Sequence, residues 1–174
     1  MQSTTSTPST KRLFIALWPD EAERRALCAL RDAWRWPKNA APMRAERLHI
    51  TLHFLGEQPA SLVQPLREGL ARLAFEPFDL RLARTAVWHN GVAVAEPEPG
   101  DVPDALEKLH AGMAPWLASL GYTAEQRPYR PHVTLARRAG GATPPPSMTP
   151  IRWRAARPVL VWSDSGPPLA YRVL

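Results

Sequence analysis

Arg47-Leu48-His49-Ile50-Thr51-Leu52 returns 83 residues later as Arg130-Pro131-His132-Val133-Thr134-Leu135. The shared pattern, R-x-H-[IV]-T-L, spaces its two copies at close to half of the ordered chain, so the sequence reads as a duplicated half-domain folded into two lobes. Each copy has the apolar alternation of a strand, in which side chains alternate faces with period two. Arg47, His49 and Thr51 therefore share one face, and Leu48, Ile50 and Leu52 the core face. Arg130, His132 and Thr134 repeat that parity. A rough two-fold between the lobes turns the two His-x-Thr faces toward one cleft.

The remaining pattern is mixed. Residues 12–18 read as a buried strand, and Asp20 opens a helix whose apolar positions Ala26, Leu27, Leu30 and Trp34 recur at helical spacing. A strand is expected over 47–55, closed by Gly56, then a helix over 61–74 with Pro65 in its first turn. FDLRLA (78–83) alternates as a strand. TAVWH (85–89) and VAVAE (92–96) flank Asn90-Gly91, a strong hairpin signal. A third helix runs through Leu106, Leu109, Met113, Leu117 and Leu120, with Pro115 inside and Gly121 as its stop. Strands follow over 130–137, 151–163 and 168–174. Alternating elements with hairpins indicate an α+β fold with largely antiparallel sheet.

Composition narrows the class. The chain has 174 residues, one cysteine (Cys28), 20 prolines and a formal charge of +6. Nineteen of its 22 basic residues are arginine, the better bidentate partner for phosphate. One cysteine makes no internal disulfide and no cysteine zinc cluster, and a reducing compartment, the cytoplasm, is the default. No stretch of about 20 apolar residues is present to span a membrane. Residues 1–10, MQSTTSTPST, read as a disordered tail, and residues 11–174 as one domain.

Two imidazoles across a cleft suit metal-free cleavage of a phosphodiester. One takes a proton from water while the other gives one to the leaving oxygen on the opposite side. Threonine hydroxyls and arginines meet the phosphate oxygens. Metal binding is the competing reading, since His53 adds a third imidazole on the His49 face. No Asp or Glu lies at 47–53 or 130–137, and HExxH is missing, so His53 reads as part of the cleft wall. His89 and His110 read as surface or packing residues, and Cys28 as inert.

With its two H-x-T-x motifs the chain resembles the 2H phosphoesterase superfamily, and more closely the RNA 2',3'-cyclic phosphodiesterases (2'-5' RNA ligase-like proteins). RLFIAL (12–17), LHITLHFLGE (48–57) and RPYRPHVTLARR (127–138) carry the likeness. It implies a bilobal fold with a pseudo-two-fold, two antiparallel sheets flanking a central cleft and helices outside. It implies hydrolysis of the terminal 2',3'-cyclic phosphate of RNA 3' ends to a 2'-phosphate by a monomer with no metal or other cofactor, and reversal of that step as 2'-5' ligation. His49 would protonate the departing 3'-oxygen, His132 would activate water, and Thr51 and Thr134 would hold the phosphate oxygens. Arg137 and Phe54 are also implied in the cleft. Both lie five residues after a motif histidine, so strict parity sends them to the wrong face and a bulge must redirect them. Arg130 has the right parity for a phosphate contact. Phe14 and Trp162 are aromatics that could stack on a base or serve the core. A small cyclic nucleotide or ADP-ribose cyclic phosphate as substrate, and a non-catalytic RNA- or nucleotide-binding module, stay open beside this reading.

Overall fold

The strand expected at 12–18 forms as β1 (Thr10–Leu17), and from Leu13 on it is covered on both faces. Leu13, Ile15 and Leu17 join the main core, while Phe14 and Ala16 form a smaller cluster with Val161. The computed structural model describes residues 10–123, 125, 127–164 and 170–174. The tail expected over 1–10 lies outside the described residues apart from Thr10, which already pairs with Pro59. Asp20 then caps α1 (Glu21–Asp32). Its carboxylate accepts the Glu23 N–H at 2.7 Å, and Glu23 accepts the Asp20 N–H at 2.8 Å, a reciprocal capping box. The other oxygen of the buried Glu23 accepts the backbone N–H of Arg154 at 2.7 Å, tying this helix to a distant strand.

There follow β2 (Ala41–Pro42), β3 (Ile50–Pro59), α2 (Val63–Arg72), β4 (Phe78–Leu82), β5 (Arg84–Val87), β6 (Ala93–Glu96), α3 (Asp104–Ser119), β7 (Val133–Arg137), β8 (Ile151–Ala155), β9 (Val159–Asp164) and β10 (Ala170–Val173). The strand expected over 151–163 is two strands because Pro158 interrupts it. Gly56 does not end β3: it takes φ +71 beside an extra residue, Leu55, and the strand runs on to Pro59. The Asn90-Gly91 signal gives the expected hairpin. Trp88 exchanges backbone hydrogen bonds with Gly91 and Val92, and Gly91 supplies the positive φ that closes a three-residue loop. At Gly69 on α2 a side chain would collide with the Trp116 ring of α3, so only glycine permits this approach.

The sheets are antiparallel. One has the order β10-β9-β1-β3-β7-β6-β5, with β2 also on β7; the other is β4-β8. The two motif strands meet at its centre through one pair, Ile50 opposite Val133. That pair joins a lobe built on β10-β9-β1-β3 to a lobe built on β7-β6-β5. The helices pack on the core side, α1 against β7 and β8 and α2 against β9. They contribute Leu27, Leu30, Leu66, Leu70, Leu106 and Met113 to the main core. Among the described residues no helix is long and apolar enough to cross a membrane.

Candidate active site

Ile50 and Val133 are fully buried, so the residues on either side of them face away from the core. This brings His49, Thr51, His132 and Thr134 to one face around the seam between the lobes. Each histidine sits one residue before its strand and is held alike. His49 Nδ1 lies 2.7 Å from the carbonyl of Arg47, and His132 Nδ1 lies 2.8 Å from the carbonyl of Arg130. A carbonyl only accepts, so Nδ1 carries the hydrogen and each neutral ring presents a bare Nε2. His49 Nε2 is 3.0 Å from Thr51 Oγ1, whose hydroxyl donates to it.

The two rings have different surroundings. His49 is stacked between Phe14 at 4.8 Å and Trp18 at 5.5 Å, with the edge of Tyr171 at 5.5 Å. This burial pushes its pKa down to about 4, assisted by the charges of His132, Arg47 and Arg137 and opposed by the Arg47 carbonyl. His132 has one aromatic neighbour, Trp88 at 4.4 Å. Burial lowers its pKa too, and the carboxylate of Glu96 works in the other direction.

The bulge that Arg137 requires is present. Thr134 pairs with Val94 and Ala136 with Ala93, so β7 carries one extra residue there. The parity then flips: Leu135 and Ala136 are both buried while Arg137 emerges exposed, and its charge reaches both histidines. Arg138, next in the chain, takes φ 52.

The motif arginines are engaged otherwise. Arg130 places Nε and one terminal nitrogen on the two oxygens of Glu96, both at 2.8 Å. Glu96, only 3 % exposed, also accepts from Arg84 Nε at 3.0 Å. The Arg130 guanidinium lies 4.5 Å from the centre of the Trp88 ring. Arg47 mirrors it, 4.5 Å from the Tyr171 ring and donating to its hydroxyl at 3.0 Å. In both lobes the arginine grips the aromatic ring that lies against the motif histidine. Trp18, Tyr171, Trp88 and Glu96 were not read from the sequence. They lie 31 residues or more from the nearer motif histidine or outside its strand, and only the sheet pairing brings them in.

A second bulge sorts the residues after Thr51. Ala16 pairs with Thr51 and Ile15 with His53, which makes Leu52 the extra residue. His53 thus shares the face of the core residue Ile15, in place of the expected His49 face. There it donates from Nε2 to the carbonyl of His110 at 2.9 Å and stacks on the His110 ring at 4.3 Å. His110 in turn stacks on Tyr129 at 3.9 Å. Phe54 pairs with Phe14 on the cleft face and is 49 % exposed. Trp162 pairs with Leu13 and so belongs to the opposite face, between Lys11 and Arg172. Phe14, 4 % exposed, walls His49. Cys28 is partly buried against the core, and His89 is exposed at the hairpin tip. Among the described residues no group of three or more His, Cys, Asp or Glu is placed to hold a metal ion.

The chain is similar to known proteins in sequence and in fold. The family described as the 2'-5' RNA ligase superfamily matches residues 18–167. An RNA 2',3'-cyclic phosphodiesterase of Thermus thermophilus is 32% identical over 166 residues, covering 90% of this chain and 83% of that protein. One from Escherichia coli is 31% identical over 140 residues, covering 78% of each. Another, from Geobacillus stearothermophilus, is 35% identical over 102 residues, which is 57% of this chain and 32% of that protein, so this chain spans about a third of that relative. The solved structure of Escherichia coli LigT complexed with 3'-AMP superposes with a TM-score of 0.82 at 27% identity, covering 95% of this chain and 96% of that one.

Proposed function

The chain belongs to the 2'-5' RNA ligase superfamily, and from that premise we propose that it is an RNA 2',3'-cyclic phosphodiesterase that opens the terminal cyclic phosphate to a 2'-phosphate. The observation that carries the reading is the matched presentation of His49 and His132. Each offers Nε2 to one face and is oriented by the carbonyl two residues before it, with Thr51 and Thr134 at alternate positions on the same strands and the charge of Arg137 acting on both rings.

In this reading His132 Nε2 takes a proton from a water as its oxygen bonds to phosphorus. The bond from phosphorus to the 3'-oxygen breaks on the opposite side, and protonated His49 gives its proton to that oxygen. Thr51 and Thr134 donate to the non-bridging oxygens, and Arg137 offsets the charge that grows on them. The chemistry is supplied by side chains alone and needs no metal. With the 5'-hydroxyl of a second RNA end in place of water, its oxygen bonds to phosphorus as the bond to the 3'-oxygen breaks, and the same pair of proton transfers leaves the two ends joined by a 2'-5' phosphodiester; the two histidines exchange roles when that joint is cleaved.

The test is incubation with an RNA that ends in a 2',3'-cyclic phosphate, in the presence of EDTA. The expected product is the 2'-phosphate, formed at the same rate with and without EDTA. Failure to open the ring overturns the reading, and loss of activity in EDTA overturns its metal-free form.

A further inference from the structure

The two motif strands pair only at Ile50 and Val133, so among the described residues β3 has no ladder partner on that side from Thr51 onward. A side chain takes over there. The Tyr129 hydroxyl donates to the carbonyl of Thr51 at 3.1 Å. Tyr129 lies three residues before His132, in Pro128-Tyr129-Arg130-Pro131, where two prolines stiffen a short run. Its neighbour Arg130 offers the carbonyl that orients His132. Two consecutive residues therefore brace one motif each.

The tyrosine ring is itself held. It stacks on His110 of α3 at 3.9 Å, His110 stacks on His53 at 4.3 Å, and His53 donates to the His110 carbonyl at 2.9 Å. Contacts thus run from Thr51 through Tyr129 and His110 back to His53, two residues further along the same strand. Burial raises the pKa of the Tyr129 hydroxyl, which keeps it a donor.

We propose that Tyr129 is a positioning residue of the centre: by holding the Thr51 peptide it places the Thr51 hydroxyl on His49 Nε2, and so sets where that hydroxyl meets the phosphate. The separation of 3.0 Å between Thr51 Oγ1 and His49 Nε2 is what this hold maintains. Once His49 is protonated, its Nε2 no longer accepts a hydrogen bond, and the hydroxyl is released to a phosphate oxygen. The consequence for turnover rests on the phosphodiesterase reading; the placement of Thr51 in the free protein does not.

The test removes one oxygen. Tyr129→Phe keeps the ring and its stack and loses only the bond to Thr51. The NMR resonance of the His49 Nε2 nitrogen near neutral pH reports whether a donor sits on it. In Tyr129→Phe it is expected to move toward its position in Thr51→Val, where the donor is gone, while the His132 resonances stay. In the double variant it is expected to coincide with Thr51→Val. His110→Leu takes away the ring that backs Tyr129; it should move the resonance the same way, and it carries the test should Tyr129→Phe fail to fold. On RNA 2',3'-cyclic phosphate Tyr129→Phe is expected to lower kcat/KM about tenfold, and to lower it no further once Thr51 is valine. An unmoved His49 resonance, equal movement at His132, or losses that multiply in the double variant overturn the proposal. If the resonances behave as expected but the unmodified protein opens no cyclic phosphate, the positioning stands and the phosphodiesterase reading falls.

Discussion

Glu96 accepts both hydrogen bonds of the Arg130 fork at 2.8 Å, from a position almost wholly out of water. Arg130 in turn lies on Trp88 and offers its own carbonyl to His132. The carboxylate thereby sets the ring beside His132 and the chain segment that orients it. Glu96→Gln keeps the shape and removes the charge from two arginines at once. The variant is expected to lose about 1–3 kcal/mol, the lower part of the range for breaking a buried pair because both arginines are partly exposed. It should also lower the pKa of His132, because the Glu96 charge raises it. Thermal melting and the pH dependence of kcat/KM check this. An unchanged melting temperature with an unchanged profile would show that the clamp does nothing.

Arg137 reaches the histidines only through the extra residue in β7. Arg137→Ala is expected to cut kcat/KM by about 10²–10³, the usual cost of losing one group aimed at growing charge. Arg137→Lys should recover only part of it, because a point charge does not reproduce the bidentate fork. Arg138→Gly is the control: φ 52 suits glycine, and the activity should hold. Equal losses at 137 and 138 would mean that the loop, rather than the guanidinium, is responsible.

How far the sequence reached follows from one rule, strand parity, and from where that rule breaks. Parity and the repeat placed His49, Thr51, His132 and Thr134 on one face, and Asp20 marked the start of the first helix, while the buried Glu23 that completes its cap was not legible. His53 went wrong because parity was carried across Leu52, a residue the ladder skips. A bulge leaves no mark in a run such as ITLHFL, since each residue in it fits a regular strand equally well. The clamps of Arg47 and Arg130 were hidden for another reason. Their partners, Tyr171 and Glu96, come from β10 and β6, and pairing at long range is a property of the assembled sheet.

Removing either imidazole should abolish nearly all turnover. His49→Ala and His132→Ala are each expected to lower kcat by at least about 10²–10⁴. The double variant should be little worse than either single one, since acid and base act in one step. Assay of the three proteins on RNA 2',3'-cyclic phosphate decides it. A double variant with the product of the two single losses would mean that the histidines act independently.

Stability should depend on pH through the same burial. His49 and His110 both have pKa values pushed down to about 4 in the folded protein, first by burial, against about 6.5 in an unfolded chain. Between those values the unfolded state binds more protons, so stability rises with pH across the window. The melting temperature is expected to be level above about pH 6.5 and to fall as the pH drops toward 4. His110→Leu removes one of the two groups and should make that fall shallower. A melting temperature that stays constant from pH 7 to 4 would show that neither ring is neutral because of the fold.

An acid with a pKa near 4 is mostly unprotonated at neutral pH, yet His49 must hold a proton to give one to a leaving oxygen. The phosphate itself supplies the remedy. An anion between the imidazoles opposes the cationic charges of Arg47 and Arg137 that lower His49, and a nearby opposite charge favours the protonated ring. Binding of an anion should therefore take up a proton. Sulfate is the clean probe, because it does not titrate near pH 6 as inorganic phosphate does. Calorimetric titrations at pH 6 in two buffers of different ionisation enthalpy are expected to give different heats, with uptake of a substantial fraction of one proton. In His49→Ala that uptake should shrink. Identical heats in both buffers would mean that the ring stays neutral in the complex, and the proton for the leaving oxygen would then have to come from His132.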